Sequence, residues 1–417
     1  MNLFHRLQNL FHEYHPQFWL MVSGIFLSTA GSSMIMPFLM IYATSKLGIP
    51  LSQAATLITI NAGTSLFSSF LAGSLADKVG RKLVMNISLT ANGLIFLFMT
   101  QAHSYVPLAF LMFLTGMANP LYQVGADAML ADLVPPEKRV DAYAINRMLN
   151  NAGFAIGPAV GGFVAAKSYN LTFLAGAIGM IAYSLLLFMF AHETLDKRKQ
   201  VQSQEQDSLG GYGQVFRDHR YITFVSVMSL GLIAPSILWV LLSVYTKVNF
   251  GLPENLYGWL PTTNALMCVF VQYSVTYVTR RHPTLPVVAA GMFLYAIGAG
   301  SVALMHGFWG FWVSMVILSF GELTLVPTAT KFVADLAPSN LRGRYMSVYW
   351  LGWGLSRAIG PLIGGFLNDN IAPVAMWYGA LIIGLASTIG LVLLTIRTNK
   401  QRVAEMPTES AISEPEI

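Results

Sequence analysis

Residues 131–139 read ADLVPPEKR and residues 156–163 read IGPAVGGF; residues 334–342 read ADLAPSNLR and residues 359–366 read IGPLIGGF. Both pieces recur at one offset, 203 residues (334 − 131 and 359 − 156). Each copy sets an acid (Asp132, Asp335) before a proline turn and an arginine (Arg139, Arg342). An apolar run follows, with Gly-Pro and Gly-Gly at its middle. A chain that repeats a segment at this separation is built from two related halves.

Of the 417 residues, 55% are hydrophobic and 10% are charged, against about 25% charged in an ordinary soluble domain. With a mean hydropathy of +0.58 and repeated apolar runs of about 20 residues, the composition is that of a protein that crosses a bilayer many times. The net charge of +5 comes with no basic stripe or interleaved aromatic platform, so nucleic acid is not an expected partner. The single cysteine, Cys268, excludes an internal disulfide. The first residues lack the short apolar core and small-residue cleavage site of a signal peptide.

Apolar runs predict six spans near 18–44, 53–76, 82–102, 106–134, 139–167 and 171–191, and six more near 221–246, 255–279, 283–305, 308–335, 341–368 and 373–396. The domain plan is therefore a terminal segment 1–17, a first six-helix bundle 18–192, a polar linker 193–217, a second bundle 218–397 and a disordered tail 398–417. Odd-numbered connections hold only Lys46, Lys167 and Lys247; every other Lys and Arg outside the spans lies in an even-numbered connection or at a terminus. That asymmetry places both termini and the linker in the cytoplasm. Arg147 and Arg357 fall within spans. Two related halves of six spans are the layout of a secondary transporter that rocks around a midplane site.

The connection between spans two and three reads GSLADKVGRKLVM, 73–85. It resembles the cytoplasmic signature of the major facilitator superfamily, with Lys78 in place of the usual arginine. The resemblance covers nearly the whole chain and implies an all-α membrane protein with twelve helices in two pseudo-symmetric bundles. It also implies a site for a small molecule rather than a cofactor or metal. Gly73 is expected to permit close helix approach, Gly80 to allow a tight turn, and Asp77 to meet the positive N-terminus of span eleven near 342–346. By the same resemblance Arg81, followed by Lys82, pairs with an acid near the inner end of span four, either Asp127 or Asp132.

Span five carries Gly153, Gly157, Pro158, Gly161 and Gly162, which resembles the antiporter signature of bacterial drug and proton exchangers. The spacing also suits a packing seam, and its copy around Gly360, Pro361, Gly364 and Gly365 in span eleven shows that packing alone can ask for it. Charges inside spans are costly, about 2.5–3.5 kcal/mol each at a helix centre, and mark function. Glu322 and Arg357 sit at similar depth in spans ten and eleven and are expected to pair. Asp127 and Arg147, about two turns inside spans four and five, are expected to form a second pair, structural in role or part of the gate. Glu322 is the expected proton carrier, because desolvation disfavours a charged carboxylate. Two departures from the drug-exchanger pattern stand out: span one has no acid, and Met112 replaces the arginine of an Arg-x-x-x-Gly motif aligned on Gly116.

By resemblance, spans one, four, seven and ten line a central cavity, flanked by two, five, eight and eleven. Candidate substrate contacts are Asn61, Asn119, Tyr122, Gln123, Asn150, Trp239, Asn264, Gln272, Trp350 and Trp353. An aromatic, Met-rich lining with few charges suits lipophilic or weakly cationic compounds, and suits a sugar phosphate or nucleotide poorly, since such anions want clustered Arg or Lys. The expected protein is thus a monomer of a prokaryotic plasma or inner membrane, exporting lipophilic or drug-like molecules across the lipid bilayer in exchange for protons. A proton-independent facilitator or lipid flippase of the same fold is the alternative. An intramembrane enzyme lacks any His-Glu-x-x-His or placed Gly-x-Ser-x-Gly.

Overall fold

The computed structural model describes residues 14–195, 212–338 and 341–405. The helices of the first half are α1 (Pro16–Ile41), α2 (Leu51–Val79), α3 (Arg81–Met99), α4 (Tyr105–Leu133), α5 (Arg139–Ala165) and α6 (Tyr169–Phe190). After a short helix, Tyr212–Arg217, the second half has α7 (His219–Phe250, interrupted at Leu232) and α8 (Trp259–Phe270 continued by Gln272–Thr279). These are followed by α9 (Thr284–Ser301), α10 (Gly307–Leu336), α11 (Arg342–Asn370) and α12 (Ala375–Glu405). Among the described residues there is no strand. Nine of these helices are long and apolar enough to cross a membrane by composition alone. The exceptions, α5, α8 and α11, are the more polar ones that meet the opposite half.

α12 runs on to Glu405, past 397, where the sequence reading begins a disordered tail. Arg397 and Lys400 are exposed on this part of the helix. Residues 406–417 and most of the expected linker, 196–211, lie outside the described residues.

The glycines of the repeated segment account for the packing. A Cβ on Gly157 or Gly161 would stand 2.6 Å from a backbone oxygen of α1, Ala30 O or Met34 O. Gly153, Gly157 and Gly161 therefore let α5 lie directly on α1. In the second half Gly360 and Gly364 do the same for α11 on α7, against Ser236, Ile233 and Ile237. The second glycine of each pair faces across the molecule: Gly162 packs on the Glu254 backbone, and Gly365 on that of Ser52. α5 thereby meets α8 and α11 meets α2, and these two seams join the halves.

Candidate functional site

Hydrogen bonds cross between the halves in the half of the helices away from the termini. The Thr262 hydroxyl donates to Ala155 O (2.6 Å), and the Thr59 hydroxyl to Ala358 O (2.7 Å). Pro158 and Pro361, each three residues after the accepting carbonyl, have no N–H to continue the helix ladder, which loosens the turn that receives these hydroxyls. The Ser52 N–H donates to Asp369 (2.7 Å), and the Tyr169 hydroxyl to Glu254. Glu254 also accepts from Lys247 Nζ at 2.9 Å. Burial raises the affinity of Glu254 for a proton, but the Tyr169 hydroxyl and the Lys247 ammonium outweigh it and hold the carboxyl below the usual carboxylate range.

A Cβ at Gly73 would meet nothing within 4 Å. The close approach expected of Gly73 is therefore absent, because α2 and α11 converge only farther along, where Gly354 nears Leu66. Asp77 is exposed in the last turn of α2; its expected partner at the start of α11 borders residues 339–340, which lie outside the described residues.

The loop that carries the signature is held from within the first half. Gly80 has φ 113°, a left-handed value that favours glycine, and a Cβ there would stand 2.5 Å from the Glu193 carboxylate. Glu193 accepts from the N–H groups of Arg81 and Lys82, both at 3.1 Å, and so caps the start of α3. Nothing in the sequence singled out Glu193; an acid just past a span is too common to read. Arg81 forms its ion pair with Asp132 rather than Asp127 and donates to Ala128 O at 3.0 Å. Lys82 Nζ caps the end of α6 at Phe188 O (2.8 Å).

Both ion pairs expected inside the spans are absent. Arg357 has no hydrogen bond or ion pair among the described residues. Asp127 accepts from Gln123 Nε2 at 3.1 Å, and Arg147 does not act on it. Glu322, at the middle of α10, accepts from Asn264 Nδ2 of α8 at 3.0 Å, and the same amide reaches Ser319 Oγ at 3.0 Å. Its electrostatic partner is Arg147, on α5 of the opposite half, which also acts on Cys268. The reason is packing order: α5 lies on α1 and α8, not on α4, and α8 brings Asn264 and Cys268 between α5 and α10.

The amide and aromatic candidates divide. Asn61 Nδ2 bonds Met112 O at 3.2 Å, Asn150 accepts from Thr29 at 2.6 Å, and Gln272 donates to Leu323 O at 3.0 Å, so all three join neighbouring helices. The Tyr122 ring sits edge-on to Tyr183 of α6, inside the first half, and Trp239 packs against the core of the second. Asn119, Gln123 and Trp350 are exposed, and Trp353 is half-buried. Asn119 and Gln123 share one sector of α4, and Trp350 and Trp353 one sector of α11. Among the described residues, no cluster of His, Cys, Asp and Glu could hold a metal ion.

The family model described as Major Facilitator Superfamily matches residues 21–238 and 222–414. A Na(+), Li(+), K(+)/H(+) antiporter of Planococcus maritimus is 26% identical over 85% of this chain and 88% of its own length. The quinolone resistance protein NorA of Staphylococcus aureus (strain MSSA476) is 25% identical over 89% of this chain and 95% of its own. Among solved structures, a point mutant of the nucleoside transporter NupG superposes with a TM-score of 0.79 at 13% identity, covering 90% of this chain and 99% of that one. At that identity the likeness is one of fold.

Proposed function

The chain belongs to the major facilitator superfamily and is a multi-pass membrane transporter, and from that premise we propose that it exports lipophilic or drug-like molecules in exchange for protons. The observation that carries the proposal is the placement of Glu322 where a charge of the other half acts on it. A carboxylate at the midpoint of α10, in the second half, lies within electrostatic reach of Arg147 in the first. While Glu322 is charged, the two groups attract across the halves. Protonation removes that attraction and frees Arg147.

One direction of the cycle follows. With the far-end seam closed, as here, substrate enters from the termini side, which we assign to the cytoplasm from the placement of Lys and Arg. Uptake of a proton by Glu322 from the outside then accompanies release. Asn264 and Ser319 hold the carboxyl in place through the change. The functions for which two relatives are named, cation/proton exchange and quinolone resistance, support proton coupling and a drug-like substrate. In proteoliposomes, an imposed proton gradient should drive accumulation of a fluorescent lipophilic dye, and Glu322→Gln should abolish the drive. Accumulation indifferent to both the gradient and the substitution would instead establish a facilitator or flippase.

A further inference from the structure

We propose that the sector of α11 bearing Trp350, Trp353 and Arg357 recognises an aromatic carboxylate, an organic anion or zwitterion with a planar ring. The proposal rests on the transport reading and names the substrate class of that same cavity.

Residues 350, 353 and 357 follow helical i, i+3, i+7 spacing and so share one face. Their neighbours fix where that face points. Gly352, Ser356 and Gly360 meet α7, where Ser356 Oγ donates to Ser229 O at 2.6 Å. Gly354, Ala358 and Gly365 meet α2. Of the two sectors left, one carries Leu355, Ile359 and Phe366, exposed and apolar as a lipid-facing surface must be. The other carries the two tryptophans and the arginine. On α5 the corresponding sector carries Arg147, whose charge reaches Glu322 across the middle of the molecule, so the sector faces inward in both halves.

Three observations make this face a site rather than a polar accident. The Arg357 guanidinium is exposed at the middle of its helix, with no hydrogen bond or ion pair among the described residues. The rings of Tyr349, Trp350 and Trp353 form a row, with centroid separations of 5.3 and 6.0 Å. Tyr349 is 1% exposed, and its hydroxyl sits beside Trp353 and Thr330, which fixes the inner end of the row. A guanidinium fork donates to both oxygens of a carboxylate, and flanking indoles stack on a planar ring. The same guanidinium repels an amine placed on the same rings. No such site exists in the first half, where Phe154 holds the position of Arg357 and Arg147 that of Trp350 (357 − 154 and 350 − 147 are both 203).

The test is titration calorimetry of the full-length protein in lipid nanodiscs, without any ion gradient, using 1-naphthoate, 1-naphthamide and 1-naphthylmethylamine. Naphthoate should bind at least about tenfold more tightly than the amide, and the amine most weakly. Arg357→Gln should erase the preference for the carboxylate. Arg357→Lys, which keeps the charge, should restore part of it and serves as the control for folding. Trp353→Leu should weaken all three ligands together. Naphthoate binding no tighter than naphthamide, binding of none of the three, or a preference that survives Arg357→Gln overturns the proposal. Because binding is read at equilibrium, the result is independent of whether protons drive transport, which the Glu322→Gln assay decides separately.

Discussion

The two halves repeat one another bond for bond along the seam and differ where the charges are. Ser33 Oγ donates to Gly153 O at 3.2 Å, and Ser236 Oγ to Ser356 O at 2.9 Å; both residues of the second bond stand 203 positions after those of the first. Two crossing bonds obey the same rule with the halves exchanged, Thr59 and Thr262, Ala358 and Ala155 being 203 apart, whereas Ser52–Asp369 and Tyr169–Glu254 have no such counterpart. At this offset Glu322 corresponds to Asn119, Arg357 to Phe154, and Trp350 to Arg147. The hinge is thus symmetric and the cavity is not. Equivalent seams join two related bundles, while Glu322 and Arg357 have no ionisable counterpart at the matching positions of the first half.

The largest expected effect comes from erasing the asymmetry. Glu322→Asn, which makes the second half match the first at that position, should reduce proton-driven dye accumulation in proteoliposomes at least about tenfold. Asn119→Gln should leave the pH dependence unchanged. A comparable loss from both would mean that the proton is not carried on one side.

Gly162→Ala and Gly365→Ala probe the seam itself. Their Cβ atoms would stand 2.4 Å from Glu254 O and 2.7 Å from Ser52 Cα. Each should lower stability by about 1–3 kcal/mol, read as a drop in the melting temperature of the purified protein, and the two drops should be similar. A much larger cost at one position would show that the seams are not equivalent under load.

Smaller still are Thr59→Val and Thr262→Val, each removing one crossing hydrogen bond worth about 0.5–1.5 kcal/mol. Equal shifts in the melting temperature are expected, adding in the double variant. The least effect belongs to Glu254, which has no acidic counterpart. Its carboxyl is held below the ordinary value, so its contribution is full at neutral pH and is lost as pH falls through the depressed value. Glu254→Gln should therefore flatten the decline of melting temperature in acid. An unchanged acid limb would remove Glu254 from the seam's energetics.

The fold was legible because long apolar runs and a motif recurring at one offset leave few architectures open. The pairing of charges was not. Helical spacing says which residues share a face but not which helix stands opposite, and Asp127 and Arg147 look like neighbours only because spans four and five adjoin in sequence. In space α5 has α1 on one side and α8 on the other, which carries Arg147 to Glu322. Arg357 shares a depth with Glu322, but its sector of α11 lies along Trp353 and Trp350. The glycine spacing announces a packing seam; that the second glycine of each Gly-Gly pair touches the opposite half depends on a geometry no single-helix pattern encodes.

Glu193 stands where the first bundle hands the chain over to the segment leading to the second, and its carboxylate grips the N–H groups of Arg81 and Lys82. The connecting segment is therefore moored at its very first residues. The exit from the first bundle is thereby tied to the turn of the signature loop, so a substitution at Glu193 is felt at Gly80, Arg81 and Lys82 together.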